Sequence, residues 1–129
     1  MARLQPAAVH RKRCKAVARA QFAAAGLNND AAASVVSHYS EHLKLCFIEY
    51  DDIFAGNAGQ TVVNRSLDDA QGREYADFIS IRNDAGDSKE TSVVCEIILR
   101  SGEKLDCHSE REFDAFVQNY LGAAAQSSR

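Results

Sequence analysis

The sequence predicts an α+β fold: an N-terminal αα-hairpin, a small antiparallel β-meander of about three strands, and a C-terminal helix packed on the sheet. Three observations lead there. The first 25 residues are rich in alanine, the best helix former, and are followed by Gly26. Ser92 to Arg100 and Lys104 to His108 are rich in β-forming residues and flank the tight turn Ser101-Gly102. Ser109 is followed three residues later by Glu112, a capping-box signature. The length, 129 residues, suits a single domain around one core, with residues 1–5 and 123–129 expected to fray.

The elements are justified in chain order. Proline suits a first helical turn, so the first helix is expected from Pro6 to Ala25, with Gly26 ending it and Leu27 folding back. Asn28, Asn29 and Asp30 offer caps for a second helix from about Ala31 to Ala55. Val36, Tyr39, Leu43, Phe47, Tyr50 and Phe54 recur at steps of three and four along it, while Leu45 and Ile48 fall on its other side. The competing reading makes residues 43–50 a strand, since the run is rich in β-formers. Thr61 to Val63 reads as a short strand, Ser66 to Asp69 as a helix start or turn, and Tyr75 to Arg82 as a strand. Asn83 to Glu90 is a polar loop. The last helix carries Phe113, Phe116, Val117, Tyr120 and Leu121 as its apolar stripe and is expected to stop at Gly122.

Composition bounds the function classes. Hydrophobic residues make up 46% and charged residues 26%, which argues against wholesale disorder. No apolar run approaches the roughly 20 residues that a spanning helix needs, so no membrane role is expected. The charged N-terminus lacks the apolar stretch of a secretory signal. Cys14, Cys46, Cys95 and Cys107 form no CxxC pair, so they are expected as reduced thiols in a cytoplasmic protein, with a Cys95–Cys107 bridge the less favoured alternative.

Charge is segregated. Residues 1–29 hold Arg3, Arg11, Lys12, Arg13, Lys15 and Arg19 and no acid, leaving nine bases against eighteen acids in the rest. Such an arm suits nucleic acid, an acidic partner, or the chain's own acidic body. Arg11, Lys12, Arg13, Lys15 and Arg19 are therefore the candidate contacts to phosphates or to an acidic partner. The turn at Gly26 to Ala31 resembles that of a DNA-binding helix-turn-helix, although Ala32 is small for the locking position. Residues 31–38 also lack an Arg, Lys, Asn or Gln to read bases.

His38-Tyr39-Ser40-Glu41-His42 fits the H-x-x-E-H pattern, which on a helix sets two imidazoles on one face for zinc. His38 and His42 are the candidate ligands, with Cys46 and Glu49 as conceivable additions. Against this, the pair is expected simply to line a helix flank, and no cofactor is expected. There is no G-x-S-x-G, Walker-type or dinucleotide-binding loop. Asp51-Asp52 and Asp68-Asp69 read as solvated helix ends or turns. The reading that follows is a small non-enzymatic protein-binding module, a regulator or inhibitor that docks on a macromolecular partner or on a second copy. Leu45, Ile48, Glu49 and Glu41 are its candidate contact residues, with nucleic-acid binding and zinc binding as the alternatives.

Overall fold

In the computed structural model, residues 7–27, 31–83 and 90–127 are described. Helix α1 (Ala7–Ala24) is followed by six strands and helix α2 (Glu110–Ser127). The strands are β1 (Ser34–Ser40), β2 (Leu45–Ala55), β3 (Gln60–Asp69), β4 (Glu74–Asn83), β5 (Glu90–Ile98) and β6 (Lys104–Asp106). They form one antiparallel sheet in sequential order, β1 to β6, so β1 and β6 are its edges. Among the described residues, no helix is long and apolar enough to cross a membrane.

The α+β class holds, but the αα-hairpin gives way to a hairpin of strands, and the meander has six strands rather than about three. Residues 34–55, expected as a second helix, are β1 and β2, joined by a tight turn at residues 41–44. There Lys44 adopts a positive φ of 57° and its N–H donates to the Ser40 carbonyl at 2.7 Å. The reason lies in burial on both sides. On β2, Phe47 faces one side of the sheet and Ile48 the other, and both are fully buried. A strand covered on both faces reads as a continuous apolar run, which periodicity does not separate from a helix. The helix-turn-helix resemblance fails with it, since residues 34–40 are β1; the expected caps Asn28 to Asp30 lie outside the described residues. Gly122 does not end α2, which runs to Ser127.

The sheet's two faces are covered differently. On the first, α2 sets Phe113, Val117 and Leu121 into one core cluster with Phe47, Leu67, Tyr75, Ala76 and Phe78. Phe78 and Phe113 have ring centroids 5.7 Å apart, and Tyr120 lies 4.8 Å from Phe47. A shift of register between β3 and β4 beside Leu67 and Asp68 lets consecutive Tyr75 and Ala76 both point inward. Ser109 Oγ accepts the Glu112 N–H at 3.2 Å, and the Glu112 carboxylate accepts the N–H of His108, capping α2.

On the second face, α1 lies across β1 and β2. Its buried residues are few, Cys14 and Ala18. Gln21 bridges Tyr50 Oη (2.8 Å) and the Ala70 carbonyl (2.9 Å), while His10 stacks on Tyr39. Cys14 is bonded to Cys46 of β2, and Cys95 to Cys107, so the expectation of four reduced thiols is corrected. Absence of a CxxC pair says nothing about cysteines that the fold brings together: the Cα separations are 5.4 and 4.9 Å.

Candidate binding face

Beyond α1, no described element covers the second face of the sheet over β3, β4 and β5, called the bare face below. Cross-strand register sets its side chains in rows. Nearest the β2–β3 turn lie Phe54, Val62 and Ile81; the next row is Asp52, Asn64, Ile79 and Val94. Then come Tyr50, Ser66, Asp77, Glu96 and Asp106, and finally Ile48, Asp68 and Glu74, with Ile48 and Tyr50 on the strand under α1. An apolar corner, in which Phe54 is 45% and Val94 53% exposed, thus adjoins an acidic band.

Six carboxylates (Asp52, Asp68, Glu74, Asp77, Glu96 and Asp106) share this face with one described cation, Lys104, which lies 4.0 Å from Glu96. Three of them hold their protons more tightly than usual. Asp68 is pushed up to about 6 by burial and then by Glu74, Asp69 and Asp77. Glu74 and Asp77 are raised as well, by burial first and then by carboxylate neighbours. Asp68 Oδ1 is buried without a hydrogen-bond partner among the described residues. A concavity of about 340 Å³ opens between α1 and this face, lined by Gln21, Leu27, Tyr50, Asp52, Ser66 and Asp68 among others.

The α2 side carries acids too, but there they are answered. Arg65, 5% exposed, reaches Glu49 at 2.7 Å, Asp51 at 3.0 Å, Glu110 at 3.0 Å and Asp114 at 2.8 Å, with its guanidinium 4.8 Å from the Phe113 ring centre. Burial and a hydrogen bond with Glu49 push Asp51 up to about 7. This cluster ties β2, β3 and α2 together. The pairs Asp51-Asp52 and Asp68-Asp69 are split by the strands: Asp51 and Asp69 turn toward α2, Asp52 and Asp68 toward the bare face. They are not the helix ends or turns expected of them.

Comparison with family models, curated proteins and solved structures gives no match.

The residues singled out in the sequence scatter. Ile48 and Glu49 are fully buried on opposite faces of β2 and offer no surface to a partner. Leu45 is half-buried against the core, and Glu41 is an exposed turn residue 3.7 Å from Arg11. His38 is half-buried on β1 and His42 exposed in the turn; without the helix, the spacing no longer places them on a common face. No group of three His, Cys, Asp or Glu among the described residues is arranged to hold a metal ion. Arg11, Lys12, Arg13, Lys15 and Arg19 are all exposed on α1. The bare face was missed because its residues alternate with core residues along three strands. The alternation Asn64, Ser66, Asp68 against Val63, Arg65, Leu67 was the available signal.

Proposed function

We propose that this chain is a non-enzymatic docking module that binds a basic, amphipathic helix of a partner protein on the bare face of its sheet. The observation that carries the reading is the pairing, on a surface that no described element covers, of an apolar corner with a band of acids that outnumber Lys104, the one described cation among them. Such a surface favours a ligand that is apolar along one stripe and cationic beside it. The fold supplies a precedent: α1, itself basic, packs on the adjoining part of the same face. A helix laid beside α1 covers Phe54, Ile79 and Val94 and sets its cations against Asp68, Asp77 and Glu96. The two disulfides favour an oxidising compartment over the cytoplasm.

The test uses a fluorescent helical peptide patterned with leucine and lysine, and its leucine and glutamate counterpart. The lysine peptide binds roughly tenfold or more tightly than the glutamate one, and loses that advantage as salt rises. Phe54→Ser with Val94→Ser weakens binding without loss of fold, as does Asp68→Lys with Asp77→Lys. Equal affinity for both peptides, or no effect of either pair of substitutions, overturns the reading.

A further inference from the structure

We propose that the outer edge of β1 is a second interaction site, at which an extended, acidic segment of a partner adds a strand to the sheet. The proposal is independent of the bare face. β1 begins the strand order, so among the described residues no strand lies on its outer side. Its sequence, SVVSHYS, carries no proline, lysine or glutamate and keeps an unbroken register with β2 from Ser34 to Ser40, while α1 and α2 both pack against the strand. The opposite edge is protected; β6 has three residues, and two of them are Lys104 and Asp106.

A cleft of about 300 Å³ runs between α1 and this edge, lined by Lys15, Ala18, Arg19, Val35, Val36 and Ser37. Successive side chains of a strand point to opposite faces, so a cleft touching three consecutive residues follows the backbone edge itself. Lys15 and Arg19 stand one helical turn apart on its rim. Neither makes an ion pair among the described residues, where the one α1 ion pair runs from Arg11 to Glu41 in the β1–β2 turn.

An edge that no described strand pairs, beside two cations with no described ion pair, fits an extended chain with a carboxylate at alternate positions. The main chain supplies affinity and the carboxylates supply choice of partner. A second copy of β1 fits poorly, because edge-to-edge pairing brings two sets of Lys15 and Arg19 together. Nucleic acid satisfies the cations but has no amide ladder to offer the strand.

The probe is a short acetylated peptide alternating threonine and glutamate. Its controls are the threonine and lysine counterpart, the same acidic peptide N-methylated at alternate amides, and a single-stranded oligothymidylate. Amide hydrogen exchange across residues 34–40 and fluorescence anisotropy are the readouts. The acidic peptide slows exchange at every second amide of β1; N-methylation on its pairing edge abolishes this. Lys15→Glu with Arg19→Glu weakens binding by roughly tenfold or more. Both side chains are exposed on α1, and the peptide controls stand whatever the variants do. No slowing at millimolar peptide, equal binding of the lysine or N-methylated peptide, or tighter binding of the oligothymidylate at Lys15 and Arg19 overturns the proposal.

Discussion

The two faces of one sheet solve the same electrostatic problem in opposite ways. Under α2, Glu49, Asp51, Glu110 and Asp114 converge on Arg65, a buried cation with short contacts to all of them. On the other face, Asp52, Asp68, Glu74 and Asp77 point away from α2 with Lys104 as the described cation nearby, and burial, then neighbouring carboxylates, make Asp68, Glu74 and Asp77 hold their protons more tightly. Buried charge must be compensated within the fold, whereas charge at an uncovered surface can wait for a partner. The first arrangement holds α2 to the sheet, and the second is the one on which the proposed docking rests.

The largest expected effect comes from breaking the compensated side. Arg65→Met leaves the fully buried Glu49 without its counter-ion. Unfolding in urea is expected to show a loss of about 3–5 kcal/mol, or no folded protein at neutral pH. A loss below about 1 kcal/mol would mean that the cluster does not hold α2 to the sheet.

Next is the pin between α1 and the sheet. Because α1 buries little beyond Cys14 and Ala18, the Cys14–Cys46 bond carries much of its attachment. Cys14→Ser with Cys46→Ser is expected to cost about 2–4 kcal/mol. Amide exchange in α1 should speed up while α2 stays protected; equal loosening of both helices would contradict this asymmetry.

The pH dependence follows from the raised acids on each face. Asp51 at about 7 and Asp68 at about 6 both bind their protons more tightly in the folded chain than in the unfolded one. Their contribution to stability is full below the ordinary carboxylate range and is lost as pH rises through about 6 and then about 7. Melting is expected roughly 5 °C lower at pH 8 than at pH 5. Asp68→Asn should flatten the lower part of that decline and Asp51→Asn the upper part. A melting temperature that rises over this range would reverse the assignment.

The smallest effect sharpens the contrast most. Asp77→Asn relieves repulsion on the bare face and should leave stability unchanged or raise it by about 0.5 kcal/mol. Glu49→Gln, across the sheet, weakens a buried ion pair and should destabilise. Equal costs for the two substitutions, seen in paired denaturation curves, would erase the distinction between the faces.

Much of this was legible in the sequence only where one physical cause acted alone. The C-terminal third, with its hairpin at Gly102 and the Ser109 and Glu112 cap, has strong local signals, and β5, β6 and α2 lie close to where these place them. Residues 34–55 were obscured by burial from two sides, which gave β2 the apolar spacing of a helix. The disulfides were illegible because Cys14 and Cys46 meet only once α1 lies on β2. Charge segregation was plain, and its basic half did map onto one exposed helix. Its acidic half divides between two faces at Asp51-Asp52 and Asp68-Asp69, a division that exists only on strands.

The central claim, that the bare face docks a basic amphipathic helix, is tested most directly by titrating isotope-labelled protein with the leucine and lysine peptide and mapping amide shifts. Perturbations centred on Asn64, Ser66, Asp77, Ile79 and Val94, and lost in Asp68→Lys with Asp77→Lys, are the predicted result. Shifts confined to α1, or none at saturating peptide, would contradict it.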